Sequence, residues 1–108
     1  RRRCAATCLA GEGAARGFCP SVSSRVACDA LRCTGCDFAV ERFEGQAWGA
    51  LADYMFFRLN APDRFKLAAM LQPAPGRAAY ACQCSWHNVA EVERLGPNSE
   101  LRWMCGGH

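Results

Sequence analysis

Cys33-Thr34-Gly35-Cys36-Asp37-Phe38-Ala39-Val40-Glu41-Arg42-Phe43 is the stretch on which the fold turns. Its first four residues place a C-x-x-C on a tight turn, like a zinc knuckle, where successive backbone N–H groups point at thiolate sulfur. The rest alternates, Phe38, Val40 and Arg42 against Ala39, Glu41 and Phe43, so residues 37–43 are predicted to be a strand. Further soft ligands lie far along the chain: Cys82 and Cys84 form a C-x-C, and Cys105 with His108 a C-x-x-H. Zn²⁺ takes four N or S ligands in a tetrahedron, so any two of these pairs complete one structural site.

The first choice of ligands is Cys33, Cys36, Cys105 and His108, with Cys82 and Cys84 as replacements or as a second pair. Structural zinc is the expected cofactor: one ion, with a second site open to Cys8, Cys19 or Cys28. The competing reading is that several of these cysteines are buried thiols acting as small hydrophobes. Nine cysteines is an odd number, so complete internal disulfide pairing is impossible. With no secretion signal, reduced metal-binding thiols are expected instead. The spacing assigns no role to Cys4. His87 is expected to face solvent at a helix entry rather than bind metal.

Outward from the cysteines, residues 1–27 are rich in Gly, Ala, Ser and Arg and read as an irregular segment packed on a cysteine-rich domain at 28–108. Trp48, Leu51, Ala52, Met55 and Leu59 recur at helical spacing and predict a helix near 47–59. Asn60-Ala61-Pro62-Asp63 ends it, since the residue before proline avoids the α region. Asp63 then caps a second helix at 64–71, with Phe65, Ala68, Ala69 and Met70 on its inner face. Residues 72–76 hold two prolines and read as a loop. Residues 79–86 read as a strand with Tyr80, Cys82, Cys84 and Trp86 on one face. Asn88 is expected to cap a short helix that Gly96-Pro97 stops. Leu101, Trp103 and Cys105 alternate along a last strand. The fold class is α+β: a small antiparallel sheet with two or three short helices on one side, stabilised by zinc through ribbon- or knuckle-like elements.

Composition narrows the function. A chain of 108 residues has room for one domain. A net charge of +3 is too small to demand nucleic acid, and no such partner is expected. No apolar run approaches the eighteen or so residues of a membrane span. The first residues lack an initiator Met and an apolar leader, so the chain reads as a piece of something longer. Only two histidines are present, and no G-x-S-x-G, H-E-x-x-H or zinc-deaminase signature, so nothing favours an enzyme. A thiol redox role for Cys33 and Cys36 would place the first cysteine at a helix N-terminus, whereas a strand is predicted to follow. Tyr54, Phe56, Phe57 and Arg58, with Arg64 and Lys66, form a possible basic, amphipathic face for an anionic membrane surface. The competing reading makes those aromatics core and the cations their solvated rim.

Four blocks carry a resemblance. They are Cys28-Asp29-Ala30-Leu31-Arg32-Cys33-Thr34-Gly35-Cys36-Asp37-Phe38, Asp53-Tyr54-Met55-Phe56-Phe57-Arg58, Tyr80-Ala81-Cys82-Gln83-Cys84-Ser85-Trp86 and Leu101-Arg102-Trp103-Met104-Cys105-Gly106-Gly107-His108. In this order they resemble the C-terminal retinal maintenance domain of the cilia- and flagella-associated protein 418 family. The resemblance runs from about Cys28 onward, with a looser echo at Cys8 and Cys19. It matches Arg32 and the Tyr80, Cys82 and Cys84 block to family positions, and it carries over no catalytic residue. It implies a non-enzymatic adaptor domain that binds ciliary proteins, located in the cytoplasm and at the cilium or flagellum and its base. In vertebrates that family serves photoreceptor maintenance. The Ala- and Arg-rich N-terminal stretch departs from the vertebrate pattern.

Overall fold

Ala78, Ala79, Tyr80 and Ala81 are all buried, which a strand achieves only when both of its faces are covered. They belong to the central strand of the molecule. The computed structural model describes residues 2–108, and Arg1, the first residue of the predicted irregular segment, lies outside them. In chain order the elements are β1 (Cys8–Leu9), β2 (Arg16–Gly17), β3 (Ala27–Cys28), β4 (Leu31–Cys33), β5 (Glu41–Trp48), α1 (Tyr54–Asn60) and α2 (Arg64–Leu67). A 3₁₀ turn at Ala68–Met70 leads into β6 (Leu71–Ala81), β7 (Trp86–Val89), β8 (Glu93–Arg94) and β9 (Trp103–Cys105). This is a small α+β fold.

β5, β6 and β7 form an antiparallel meander. On one face Ala79 and Ala81 join Phe43, Trp48, Phe57 and Leu67 beneath the two helices. On the other, Ala78, Tyr80 and Val89 join Leu9, Leu31 and Trp103 beneath the short ribbons. The ribbons are β4–β9 and β1–β8, both antiparallel, and β2–β3, a two-residue parallel pair. Small alanines at 78, 79 and 81 let both layers approach the sheet closely.

Arg42 ties the N-terminal segment to this sheet. Its side chain is 6% exposed and donates to the carbonyls of Ala10 (3.1 Å) and Gly11 (2.8 Å), to the Tyr80 hydroxyl (3.0 Å) and to Glu44 (3.3 Å). The same hydroxyl accepts the Ala10 N–H at 3.1 Å. A Cβ on Gly11 would overlap the carbonyls of Gly76 and Ala90, so only glycine fits this approach.

The structure departs from the predicted elements in several places. Trp48 ends β5 rather than starting a helix, because both its backbone groups are taken by Asn88: its N–H donates to Oδ1 (2.7 Å) and its carbonyl accepts from Nδ2 (3.3 Å). The helix is therefore the shorter α1, capped by Asp53 accepting from the Phe56 N–H. Asn88, expected to cap a helix, instead sits inside β7. α2 has the expected Asp63 cap, but Phe65 is 91% exposed and Leu67 takes the inner position.

The predicted loop at 72–76 is part of β6. Gln72 and Pro73 pair with Ala47 and Gln46, and the register shift opposite Gly45 absorbs the extra residues, with Gly76 at φ 86°. The predicted strand at 79–86 breaks at Cys82, and residues 82–85 turn the chain into β7. Within the predicted strand at 37–43, the continuous ladder begins only at Glu41.

Candidate metal centres

The turn after β4 brings Cys33 and Cys36 together. Its backbone closes through Cys33 N–H to Phe38 O (2.9 Å) and Asp37 N–H to Cys33 O (3.0 Å), with Asp37 at φ 63°. The Arg32 guanidinium braces it by donating to the Asp37 carbonyl at 2.6 Å. The turn between β6 and β7 supplies Cys82 and Cys84. All four sulfurs lie within 4.8 Å of one another. Cys84 Sγ is 3.4 Å from Cys33 Sγ and 3.7 Å from Cys82 Sγ. Those separations are far longer than a disulfide of about 2.05 Å. They lie near the edge of about 3.8 Å that a tetrahedron of sulfurs around zinc would have.

A second group forms on another side of the β4–β9 ribbon. Cys4, Cys28, Cys105 and His108 also offer ligand atoms within 4.8 Å of one another. Cys33 and Cys36 with Cys105 and His108, the set that spacing favours as one site, are thus not brought together. Cys33 and Cys36 meet Cys82 and Cys84, while Cys105 and His108 meet Cys4 and Cys28. The register explains the division. Leu31 lies opposite Cys105 and Cys33 opposite Trp103. Because the strands are antiparallel, Cys36 lies past one end of the ribbon and His108 past the other.

Five of the seven cluster cysteines share one local device, the N–H of the residue two ahead placed near the sulfur. Gly35 donates to Cys33 at 3.3 Å and Ala30 to Cys28 at 3.4 Å. The N–H groups of Phe38, Cys84 and Gly107 likewise favour thiolate at Cys36, Cys82 and Cys105. The Trp103 indole adds a donor to Cys82 at 3.2 Å. Such donors stabilise thiolate and orient it for a cation.

Burial raises the Cys36 thiol, but the Phe38 and Gln83 N–H groups, with Cys33 and Cys82, outweigh it and hold the group at about 7. Burial pushes Cys82 and Cys84 up, and Cys33 beside them adds to the rise. In the second group burial lifts Cys28 to about 12 and also raises Cys4. Cys105 is lowered, because N–H groups of Cys4 and Gly107 overcome its burial. Four crowded thiols resist ionising together, and a cation among them removes that resistance.

Of the three cysteines open to a second site, Cys28 joins the second group, while Cys8 and Cys19 belong to neither. Both are buried in a small cluster with Ala6, and Cys19 donates its S–H to the Ser21 carbonyl at 3.2 Å. His87 lies in β7 with Nε2 2.8 Å from Glu93 Oε1. Spacing gives Cys4 no role, and its one sequence signal is membership of an odd-numbered set of thiols. No helix among the described residues is long and apolar enough to cross a membrane.

The family model described as Retinal Maintenance matches residues 1–108, including the N-terminal stretch. The chain is similar to cilia- and flagella-associated protein 418 of Danio rerio, 44% identical over 107 residues, covering 99% of this chain and 52% of that protein. The Homo sapiens protein of that name is 43% identical, with 99% and 51% covered. The Mus musculus protein is 41% identical, with 99% and 51% covered. The chain therefore spans about half the length of these curated relatives. No solved structure matches it.

Proposed function

The chain belongs to the Retinal Maintenance family, and on that premise we propose that it is a zinc-clamped, non-enzymatic adaptor domain of a cilium- or flagellum-associated protein. The observation that carries this reading is the closed group Cys33, Cys36, Cys82 and Cys84. Four thiolates fill a tetrahedral zinc ion and leave no open position for substrate, which is the signature of a structural centre. The ion would join the turn after β4 to the β6–β7 turn, and so hold the ribbon layer to the central sheet.

The adaptor surface is the α1–α2 segment. Phe65 is 91% exposed, Leu59 72% and Met55 56%, while Phe57 and Leu67 on the same segment are fully buried. Grouped on one short segment, such side chains are what an interaction surface presents. The test is affinity purification of the full-length protein from ciliated cells, with and without the paired substitutions Leu59→Ser and Phe65→Ser. Ciliary proteins retained by the wild type and lost by the variant support the reading. An unchanged set of partners overturns it.

A second reading is favoured by the cations on the same segment. Arg58 and Lys66 are exposed beside Leu59 and Phe65, the arrangement of a surface that rests on anionic lipid. Flotation with vesicles containing anionic lipid, weakened by salt and by Phe65→Ser, would select this reading. Absence of flotation at low salt would remove it.

A further inference from the structure

We propose that Cys4, Cys28, Cys105 and His108 form a second, independent zinc site that staples residues 2–4 to the end of the β4–β9 ribbon. The inference extends the metal reading above to a different donor set, three sulfurs and one imidazole nitrogen. His108 Nε2 lies 3.3 Å from Cys4 Sγ and 3.7 Å from Cys28 Sγ. A zinc ion with sulfur at about 2.3 Å and nitrogen at about 2.0 Å sets these atoms about 3.5 Å apart. The imidazole is aimed for this role. Its other nitrogen, Nδ1, faces Asp29 Oδ1 at 3.5 Å, the side from which a carboxylate orients a ligand imidazole with Nε2 toward the metal. The Phe18 ring packs edge-on against the imidazole, with centroids 5.5 Å apart.

The sulfurs are supported independently of the histidine. Cys4 Sγ accepts the Cys19 N–H at 3.3 Å, Cys28 Sγ the Ala30 N–H at 3.4 Å, and Cys105 Sγ the Cys4 N–H at 3.4 Å. The backbone closes around the group as well. Arg2 and His108 exchange N–H to carbonyl bonds of 3.1 and 2.6 Å, and Arg3 donates to the Cys105 carbonyl at 2.9 Å. Segments more than a hundred residues apart thus meet at one point. The donor chemistry, three thiolates and a neutral imidazole, suits a borderline-soft divalent cation such as Zn²⁺ and disfavours Mg²⁺ or Ca²⁺.

Native mass spectrometry of the purified protein, joined to Co²⁺ substitution, tests the proposal. Two zinc ions per chain are expected in the wild type, with cobalt spectra that sum an all-sulfur and a three-sulfur, one-nitrogen centre. His108→Ala should drop the count to one and leave only the all-sulfur spectrum. His108→Cys should restore two ions and make both spectra all-sulfur, which a merely structural histidine would not do. Cys36→Ser separates this site from the first, since it should remove the all-sulfur centre and leave the mixed one. One ion in the wild type, or a Co²⁺ spectrum that His108→Ala and His108→Cys leave unchanged, overturns the proposal. A disulfide among Cys4, Cys28 and Cys105 in the freshly isolated protein also overturns it.

Discussion

Trp103 and Tyr80 show how single side chains serve two structural duties. Trp103 is nearly buried, packs near Tyr80, and spends its indole N–H on Cys82 Sγ. Trp103→Phe keeps an aromatic ring but removes the donor, and zinc affinity is expected to fall about tenfold. Competition with a chromophoric chelator measures it, and an unchanged affinity would deny the indole this role. Tyr80→Phe keeps the volume but leaves the Ala10 N–H and the Arg42 Nε short of an acceptor. About 2 kcal/mol of stability should be lost, read as a shift in the urea midpoint of the metal-loaded protein. At this scale the sequence was half legible. The C-x-x-C at Cys33 and Cys36 could be read because its turn chemistry is local. Cys4 could not, and Cys28 only as one of three candidates, because isolated cysteines carry no spacing and their partners depend on strand register.

The α1–α2 segment is where periodicity was least dependable. Trp48, Leu51 and Met55 share a helical spacing, yet Trp48 belongs to a strand, and Leu51 and Met55 are 81% and 56% exposed. The apolar period marked a face that water sees, so it could not distinguish core from docking surface. Substitution makes that distinction. Phe65→Ser should change stability by less than about 0.5 kcal/mol, as expected of a solvent-facing side chain. Phe57→Ala should cost about 3–5 kcal/mol, since its ring lies between Trp48 and Trp86 in the helix-side core. Equal losses from the two changes would contradict the assignment of Phe65 to the surface. The strand at 79–86 was legible through its alternation as far as Ala81. Beyond that, the cysteines at 82 and 84 obeyed the geometry of their cluster rather than the pleat.

Taken whole, the described residues form a three-stranded sheet with helices on one face and short ribbons on the other, every ribbon strand only two or three residues long. Strands that short hold few ladder bonds, and a chain of this size buries a limited core. The thiol clusters sit where the ribbons meet the sheet and each other, so a metal ion bound there would supply the cohesion the ladders lack. The α+β class and the clustering of cysteines far apart in sequence were readable from sequence. The division into two groups was not, because it follows from the antiparallel pairing of β4 with β9. Thiolate ligation also predicts that metal is released as pH falls and protons compete for sulfur, a dependence that dialysis at stepped pH would register. The most direct test of the metal-clamped fold is a thermal melt followed by circular dichroism, with and without a strong chelator, on protein whose zinc content has been measured. Zinc bound at isolation and loss of the folded signal on chelation is the predicted result. A metal-free preparation whose melt the chelator leaves unchanged would contradict it.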